Sequence, residues 1–461
     1  MLNCLKSIVP GIVSPSLVNQ AAAQQLALQY QFEKKQWAER DAIIGEQFKQ
    51  LQQLLFFAQK NSPFWRARFK QQQLDRSWIK NLTPLTFSQL LPLKRQELQK
   101  DINQIKASNP PKEHGPLNEA RSSGSTGTPI ITFGTGITQL FWDAFSIREH
   151  LWQQRDFNLT LAAIRSLPKD KARAPDGDIS KGWGSAVSKV FEAGPSVLLN
   201  VDEPINVQYA WLLKHQPSYL ITHPSNLMAL AWYAGGQAQK LHQLKQIRTV
   251  GETVSSVLRE AVRSTFNCEI ADMYSCQEAG YIAIQCLEEG NYHVMSEGIY
   301  LEVVDDQGLP VAAGQQGRVL ITSLNNFATP LIRYEVGDMA IMGLPCGCGR
   351  GLPVIKKILG RVRNMLVLPD GSIKWPYLSY ALFVEEADIR QFQLIQHSLE
   401  LVELCYVSKQ VATQQQKKAI TNILTTTLGY PFDIKFTHMK KIKRSKSGKH
   451  EDFISHVPYR G

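Results

Sequence analysis

Arg121-Ser122-Ser123-Gly124-Ser125-Thr126-Gly127-Thr128-Pro129 is the stretch on which the reading of this chain turns. Eight of its nine residues are small, hydroxylic, glycine or proline. Glycines bring the backbone close to a ligand and turn its N–H groups inward, and hydroxyls add donors, so the stretch is suited to holding phosphate oxygens. The common nucleotide loop ends in Gly-Lys-Ser/Thr; here Gly127 is followed by Thr128-Pro129. A flexible Ser/Gly linker has a similar composition, but Ile130-Ile131-Thr132-Phe133 reads as a strand immediately after the loop, which a linker would not require.

Outward from the loop, the chain alternates strands and helices. Ser218–Thr222, Gln246–Val250 and Glu269–Tyr274 read as strands, with helix-spaced Val257, Leu258, Ala261 and Val262 between the last two. That rhythm predicts a largely parallel sheet. Residues 299–342 change to short alternating strands with glycine turns. Met365–Ser372 carries a hairpin signal, Leu368-Pro369-Asp370-Gly371. Upstream, residues 20–60 read as amphipathic helix, and Arg76–Pro116 as short helices and proline-marked turns. The expected fold is α/β: a large multi-sheet N-terminal domain with a small β-rich subdomain, then a small C-terminal α+β lid. The expected boundaries are 1–118 for a helical lead-in, 119–359 for the core with its β subdomain at about 299–342, and 360–461 for the lid.

At 461 residues the chain can bury a large core in two or three domains. Its 43% hydrophobic and 20% charged content is ordinary for a globular protein. No apolar run has the length of a membrane span. Pro10 and Pro15 break the mildly apolar N-terminus, and no cleavage-site pattern follows it. Seven cysteines, an odd number, argue against a disulfide framework and for a reducing, cytoplasmic setting. The net charge of +11 suits polyanionic partners, whether nucleic acid, membrane headgroups or small molecules. Lys440, Lys441, Lys443, Arg444 and Lys446 form a basic run without interleaved aromatics, which speaks against a nucleic-acid module.

Taken together with six further segments in order, the loop resembles that of the adenylate-forming superfamily, which includes acyl-CoA ligases and adenylation domains. The chain is most similar to the phenylacetate–CoA ligase branch and its relatives from polysaccharide gene clusters. The segments are Leu55–Trp65, Leu91–Leu98, Tyr274-Ser275-Cys276-Gln277-Glu278, Pro330-Leu331-Ile332-Arg333-Tyr334-Glu335-Val336-Gly337-Asp338, Gly360-Arg361 with Met365-Leu366-Val367, and Ser447-Gly448-Lys449.

The resemblance implies carboxylate activation by ATP through an acyl-adenylate, then transfer to coenzyme A. It implies that Ser122, Ser123, Gly124, Ser125, Thr126, Gly127 and Thr128 hold the β- and γ-phosphates. Tyr274 lies against adenine, and Asp338, after a tight Val-Gly turn, takes the ribose hydroxyls. Arg361 approaches the ribose or phosphates, Glu278 holds Mg²⁺, and Lys449 steadies charge at the α-phosphate. The implied partners are a small carboxylic acid and coenzyme A or a carrier protein. The oligomeric state is left open, a homodimer among the options.

Three residues depart from the family pattern. Ser275 stands for the usual glycine, Gln277 for the Thr/Ser before Glu278, and Arg363, followed by Asn364, for the acidic residue after Gly-Arg. Three rivals therefore stay open: an acceptor other than coenzyme A (carrier protein, amine or sugar), a nucleotidyltransferase, and a non-catalytic nucleotide binder.

Cys286-x₆-His293 is followed, 53 residues after the histidine, by Cys346-x-Cys348. Three thiolates and an imidazole make a closed tetrahedral Zn²⁺ site of structural type. Some phenylacetate–CoA ligase relatives have a similar arrangement. The other reading is buried thiols and a surface histidine. Cys4, Cys268, Cys276 and Cys405 read as core or incidental. His223 is a candidate for the acyl pocket or for plain core packing.

Overall fold

The computed structural model describes residues 5–12, 14–121, 130–361, 365–374, 376, 380–389, 391–442 and 452–458. The loop residues 122–129, the hinge residues Arg363 and Asn364, Lys449 and Cys4 therefore lie outside the described residues.

The N-terminal helices are α1 (Gln20–Lys35), α2 (Arg40–Asn61) and α3 (Pro63–Gln71), then short turns α4 (Arg76–Lys80), α5 (Pro84–Phe87), α6 (Arg95–Lys100) and α7 (Ile102–Ile105). The run 20–60, read as one amphipathic stretch, is two helices. The break at Gln36–Glu39 has a tertiary cause: Gln36 O accepts a hydrogen bond from Gly351 N at 2.9 Å. A Cβ on Gly351 would meet Ala38 O at 1.9 Å, so only glycine permits this approach. In α2, Leu51, Leu54, Leu55 and Ala58 are fully buried at helical spacing. Each leucine contributes on the order of 1.5–3 kcal/mol by leaving water. Ser62 accepts from Trp65 N as the N-cap of α3, and Pro63 fills the first helical turn. Trp65, fully buried, donates its indole N–H to Pro330 O at 2.9 Å.

Strands β1 (Asn118–Arg121) and β2 (Ile131–Gly134) pair antiparallel, so they are the two stems of the stretch 122–129. Helix α8 (Gly136–Trp152) follows. Next comes a six-stranded sheet of β3 (Leu161–Arg165), β4 (Asp178–Lys181), β5 (Pro195–Asn200), β6 (Tyr219–Thr222), β7 (Gln246–Thr249) and β8 (Glu269–Ala271). Its order is β4-β5-β3-β6-β7-β8, parallel except at β4. The interleaved helices are α9 (Ser185–Ser188), α10 (Ile205–His215), α11 (Pro224–Gly235) and α12 (Ser256–Phe266). In α12, Ser255 caps the start and left-handed Asn267 ends it. The parallel rhythm expected from sequence is present.

A second, seven-stranded antiparallel sheet holds β9 (Met273–Cys276), β10 (Gly280–Gln285), β11 (Tyr292–Val294), β12 (Ile299–Val304), β13 (Gln316–Ser323), β14 (Tyr334–Met342) and β15 (Val354–Arg361). Its order is β12-β13-β14-β15-β11-β10-β9. It is thus larger than the stretch 299–342. The run Glu269–Tyr274, read as one strand, divides at Asp272: β8 ends the parallel sheet and β9 enters the antiparallel one. Asp272 fixes this corner by accepting from Thr249 Oγ1 at 2.7 Å and Tyr292 OH at 2.6 Å.

Val336-Gly337 is not a tight turn. It lies within β14 at a register shift against β13, with Gly337 at φ +86°. Such a bulge re-aims the following side chain, here Asp338.

The C-terminal part has the hairpin β16 (Leu366–Val367) and β17 (Ile373–Lys374), then α13 (Tyr380–Ala387), β18 (Gln391–Gln396), β19 (Leu401–Val407), α14 (Gln414–Leu428), β20 (Asp433–His438) and β21 (Phe453–Ser455). Its four strands run in the order β20-β19-β18-β21. They have their own core, including Phe383, Phe392, Leu404, Leu424 and Phe453. A large mixed α/β part of several sheets with a smaller α+β part is the architecture expected. No described helix is long and apolar enough to cross a membrane.

Candidate functional site

Arg333 organises the entrance of the N-terminal segment. It is 1% exposed, with φ +46°, and pairs through both carboxylate oxygens with buried Glu302 at 3.0 Å. It also donates to Ser88 O, Leu90 O and Gly308 O. Glu302 is pushed up by burial, against the pull of Arg333. Next to this clamp, Leu93 N donates to Arg333 O and Glu335 N donates to Leu93 O. The segment 88–93 is thereby stitched to β14, and α6 begins beside the antiparallel sheet.

That placement brings Arg95 to Glu278. Their side chains pair at 3.2 Å, and Tyr334 OH donates to the same carboxylate oxygen at 3.5 Å. The Tyr334 phenol is pushed up, by burial first and by the Glu278 charge second. Sequence reasoning gave roles to neither Arg95 nor Tyr334, although both lie in quoted segments. The ion pair spans 183 positions and leaves no local signal.

Tyr274, Asp338 and Arg361 converge. Asp338 and Arg361 are register partners on β14 and β15. Asp338 accepts from Tyr274 OH at 2.7 Å and pairs with Arg361 Nε at 3.0 Å; Arg361 also donates to Val336 O at 3.3 Å. Burial and then the Asp338 carboxylate push the Tyr274 phenol well up. Asp338 holds Arg361 firmly protonated. Burial, then the Glu278 charge, push the Cys276 thiol up, so it is inert as a nucleophile.

A cavity of about 210 Å³ adjoins this cluster. Its lining includes Asn118–Ala120 on β1, Thr132 and Gly134 on β2, Gln277 and Glu278, and the aromatic side chains of Phe141, Trp142, Phe145 and Tyr281. One wall is therefore the stem of the 122–129 stretch, one is carboxylate-bearing, and the floor is aromatic. His223 is not among the lining residues; it precedes α11, with Nδ1 3.0 Å from Val250 O.

The four Cys/His residues also converge. Cys286, His293, Cys346 and Cys348 bring all four ligand atoms within 4.8 Å of one another. Cys346 Sγ lies 3.9 Å from Cys286 Sγ, and Cys348 Sγ 3.3 Å from His293 Nε2. A tetrahedral zinc centre spaces two sulfurs by about 3.8 Å and sulfur from nitrogen by about 3.5 Å. His293, fully buried, is pulled down to about 4, by burial first and by the Arg350 charge second. It is neutral at pH 7, the form that ligates metal. Burial pushes Cys346 up to about 11. Burial also works against the Cys348 thiolate, but hydrogen bonds from Arg350 outweigh it and the net shift is downward. The cluster sits where several elements meet. Gln36 Oε1 accepts from Arg350 Nε at 3.2 Å, and the Arg350 guanidinium lies 4.8 Å from the Trp37 ring and 4.5 Å from the Trp152 ring. Trp152 meets the His293 ring edge-on at 5.7 Å.

Comparison with known proteins agrees with this geometry. Residues 369–456 match the family model of the CapK C-terminal domain. A phenylacetate–coenzyme A ligase from Pseudomonas putida is 25% identical, over 71% of this chain and 72% of its own. Protein CapK from Staphylococcus aureus is 20% identical over 94% of each chain. Among solved structures, a 2-hydroxyisobutyryl-CoA ligase in the postadenylation state overlays with a TM-score of 0.70 at 18% identity, covering 92% of this chain and 91% of that one. In sequence the chain is similar to the phenylacetate–coenzyme A ligases and to CapK, and its fold is that of this acyl-CoA ligase structure.

Proposed function

We propose that the protein is an AMP-forming acid–thiol ligase: it activates a small carboxylic acid with ATP and passes the acyl group to coenzyme A. The observation that carries this reading is the cavity, onto which both stems of the 122–129 stretch and Glu278 open together. In the first step a carboxylate oxygen attacks the α-phosphorus, the bond to the bridging oxygen breaks, and pyrophosphate leaves. Attacker and target are both anionic, so the site must neutralise charge and fix the approach. Ser122–Thr128 would enclose the β- and γ-phosphates. Asp338 would exchange its contacts to Tyr274 and Arg361 for ribose hydroxyls, since one carboxylate can accept several hydrogen bonds. Tyr274 would lie against adenine. Glu278, a buried carboxylate, suits Mg²⁺, which would supply charge neutralisation on the phosphates. Arg95 would then be released from Glu278 toward the same anions. Lys449 would stabilise the charge that grows at the α-phosphate. In the second step the coenzyme A thiol loses its proton and attacks the acyl carbon, and AMP leaves.

Cys286, His293, Cys346 and Cys348 would hold one structural Zn²⁺. All four positions of a tetrahedron are filled by protein, so none is open to water, and the ion would tie elements together rather than take part in the reaction.

The testing experiment is pyrophosphate exchange across a carboxylic-acid panel. Exchange should require Mg²⁺ and an acid, and Lys449→Ala should slow it by about 10²–10³-fold. Parent-rate exchange in that variant refutes the role of Lys449; no exchange with any acid refutes adenylation. A second reading keeps adenylation and changes the acceptor to a carrier protein, amine or sugar. Residues 369–456 match a family model named for CapK and not for a coenzyme A ligase, so the acceptor is open to test. Acyl transfer that is indifferent to coenzyme A would select the second reading.

A further inference from the structure

Behind the aromatic floor of the cavity lies a group of charged side chains that the adenylation chemistry does not use. Tyr281 lines the cavity and packs at a tilt against Trp142, with ring centroids 4.8 Å apart. Its hydroxyl accepts from Arg248 Nη2 at 2.6 Å. Arg248 Nε lies 3.5 Å from Glu149, and Glu149 pairs with Arg155 at 2.7 Å. Glu149 is thus shared by two guanidiniums.

A third guanidinium faces the same group. In the parallel sheet Ala163 on β3 is opposite Ile221 on β6, and Ile221 is opposite Arg248 on β7. Partners across parallel strands share a face, and so do residues two apart on one strand. Arg165, two residues beyond Ala163 at the C-terminal end of β3, is therefore on the Arg248 face. It is exposed, and Ala163, Ile221 and Arg248 on the same face are themselves only partly buried, so this face of the sheet opens to solvent. The fields it feels are those of Arg248 and Tyr281, and no carboxylate among the described residues pairs with it. Asp272 attracts Arg248 but is occupied by Thr249 and Tyr292. With Asp272 and its neighbour Arg259 counted, the group has four guanidiniums to two carboxylates, and Arg165 pairs with neither. An exposed guanidinium without a carboxylate partner is free to take an anion. In open α/β sheets the carboxyl ends of strands are where ligands bind.

We infer that the Arg165–Arg248 face holds a second anionic group on the acid being activated, so that the substrate is an acid with a distal carboxylate rather than a simple monoacid. The inference rests on the adenylation reading above. A planar guanidinium takes a carboxylate through two parallel hydrogen bonds, and Tyr281 can carry the apolar middle of the substrate on its ring.

The test pairs each monoacid with its dicarboxylate counterpart: 4-methylbenzoate with terephthalate, hexanoate with adipate. Pyrophosphate exchange gives kcat and KM, and calorimetric titration of the same acids gives binding without chemistry. The native protein should favour the dicarboxylate by about 10–100-fold in kcat/KM, mostly through KM. Arg165→Gln should erase that preference, Arg165→Lys should retain part of it, and Arg165→Gln should melt no lower than the parent. Three results overturn the inference: equal use of both members of each pair, an equal loss on both in Arg165→Gln, or a loss confined to the KM for coenzyme A. Arg165-dependent binding of the dicarboxylate without any exchange would keep this subsite and refute adenylation instead.

Discussion

Removing the metal from the Cys286/His293/Cys346/Cys348 cluster should lower thermal stability before it touches catalysis. The size follows from what the ion binds. The four ligands converge only in the folded chain, just after β10 and on β11 at one end and the 346–348 turn at the other. An ion at about 1,000 times its dissociation constant stabilises such a fold by about 4 kcal/mol. At roughly 2.1 cal/mol/K per residue, unfolding 461 residues carries an entropy of about 1 kcal/mol/K, so the midpoint should fall by about 4 °C. If residues 1–359 unfold as a separate unit, the same energy corresponds to about 5 °C. The assay is differential scanning calorimetry with and without a chelator, beside elemental analysis for one zinc per chain. Cys348→Ser should melt near the metal-free value and no longer respond to chelator, whereas Cys405→Ser, which changes a thiol of the separate C-terminal sheet, should respond as the parent does. A protein purified without zinc, whose melting ignores chelator, would refute the metal assignment.

Three further outcomes are expected. Asp338→Ala should weaken ATP binding by calorimetry more than it slows turnover at saturating ATP, and should also cost stability, because it leaves the Tyr274 hydroxyl buried without its acceptor and Arg361, a third exposed, without its carboxylate, a loss of roughly 1–3 kcal/mol; unchanged affinity would remove Asp338 from the nucleotide site. Burial pulls His150 down to about 3, while Glu149 beside it, disfavoured by burial but held by Arg155 and Arg248, stays charged down to about 2; the unfolded chain therefore takes up a proton at His150 below pH ~6.5 that the folded chain refuses, so stability is full above that pH and falls toward pH 3 by up to about 1.4 kcal/mol per unit. Urea melts of the zinc-loaded protein between pH 7.5 and 5 should lose that share of their slope in His150→Gln, and an unchanged slope counts against it. Limited proteolysis should cut at about residues 359–364, at a rate that ATP analogues alter; a chain resistant there in both conditions would argue against the proposed lid boundary.

What the sequence made legible is what is encoded locally. Cys286-x₆-His293 is a polar hairpin and Cys346-x-Cys348 a glycine-spaced turn, so each half of the cluster is a short-range pattern, and only their meeting depends on the fold. The strand read after the loop is likewise present as β2, whereas its antiparallel partner β1 was not expected from the sequence. The misreadings came where distant packing decided. Nothing within residues 20–60 breaks the helical pattern between Lys35 and Arg40; Gly351, more than 300 positions away, does so by lodging against Ala38. The Val-Gly pair before Asp338 has turn composition, but the partner strand β13 makes it a bulge.

Arg95 shows the same limit from the side of chemistry, and why it matters for the activity. In sequence it is one basic residue among Lys94, Gln96 and Glu97, with nothing to set it apart from a solvated helix start. Its meaning comes from Arg333, which looks like a ligand-binding residue in its motif yet is wholly engaged in clamping Glu302 and the carbonyls of residues 88, 90 and 308. Because that clamp fixes the segment before α6, Arg95 reaches Glu278 without being held by anything local. Arg95 thus pairs with a carboxylate whose side chain is only 7% exposed. Glu278 would hold Mg²⁺, which would supply charge neutralisation there, and Arg95 would then be free to face the phosphates. The motif's arginine thus supports the site through a neighbour, and the residue that would respond to substrate is the one the motif does not mark.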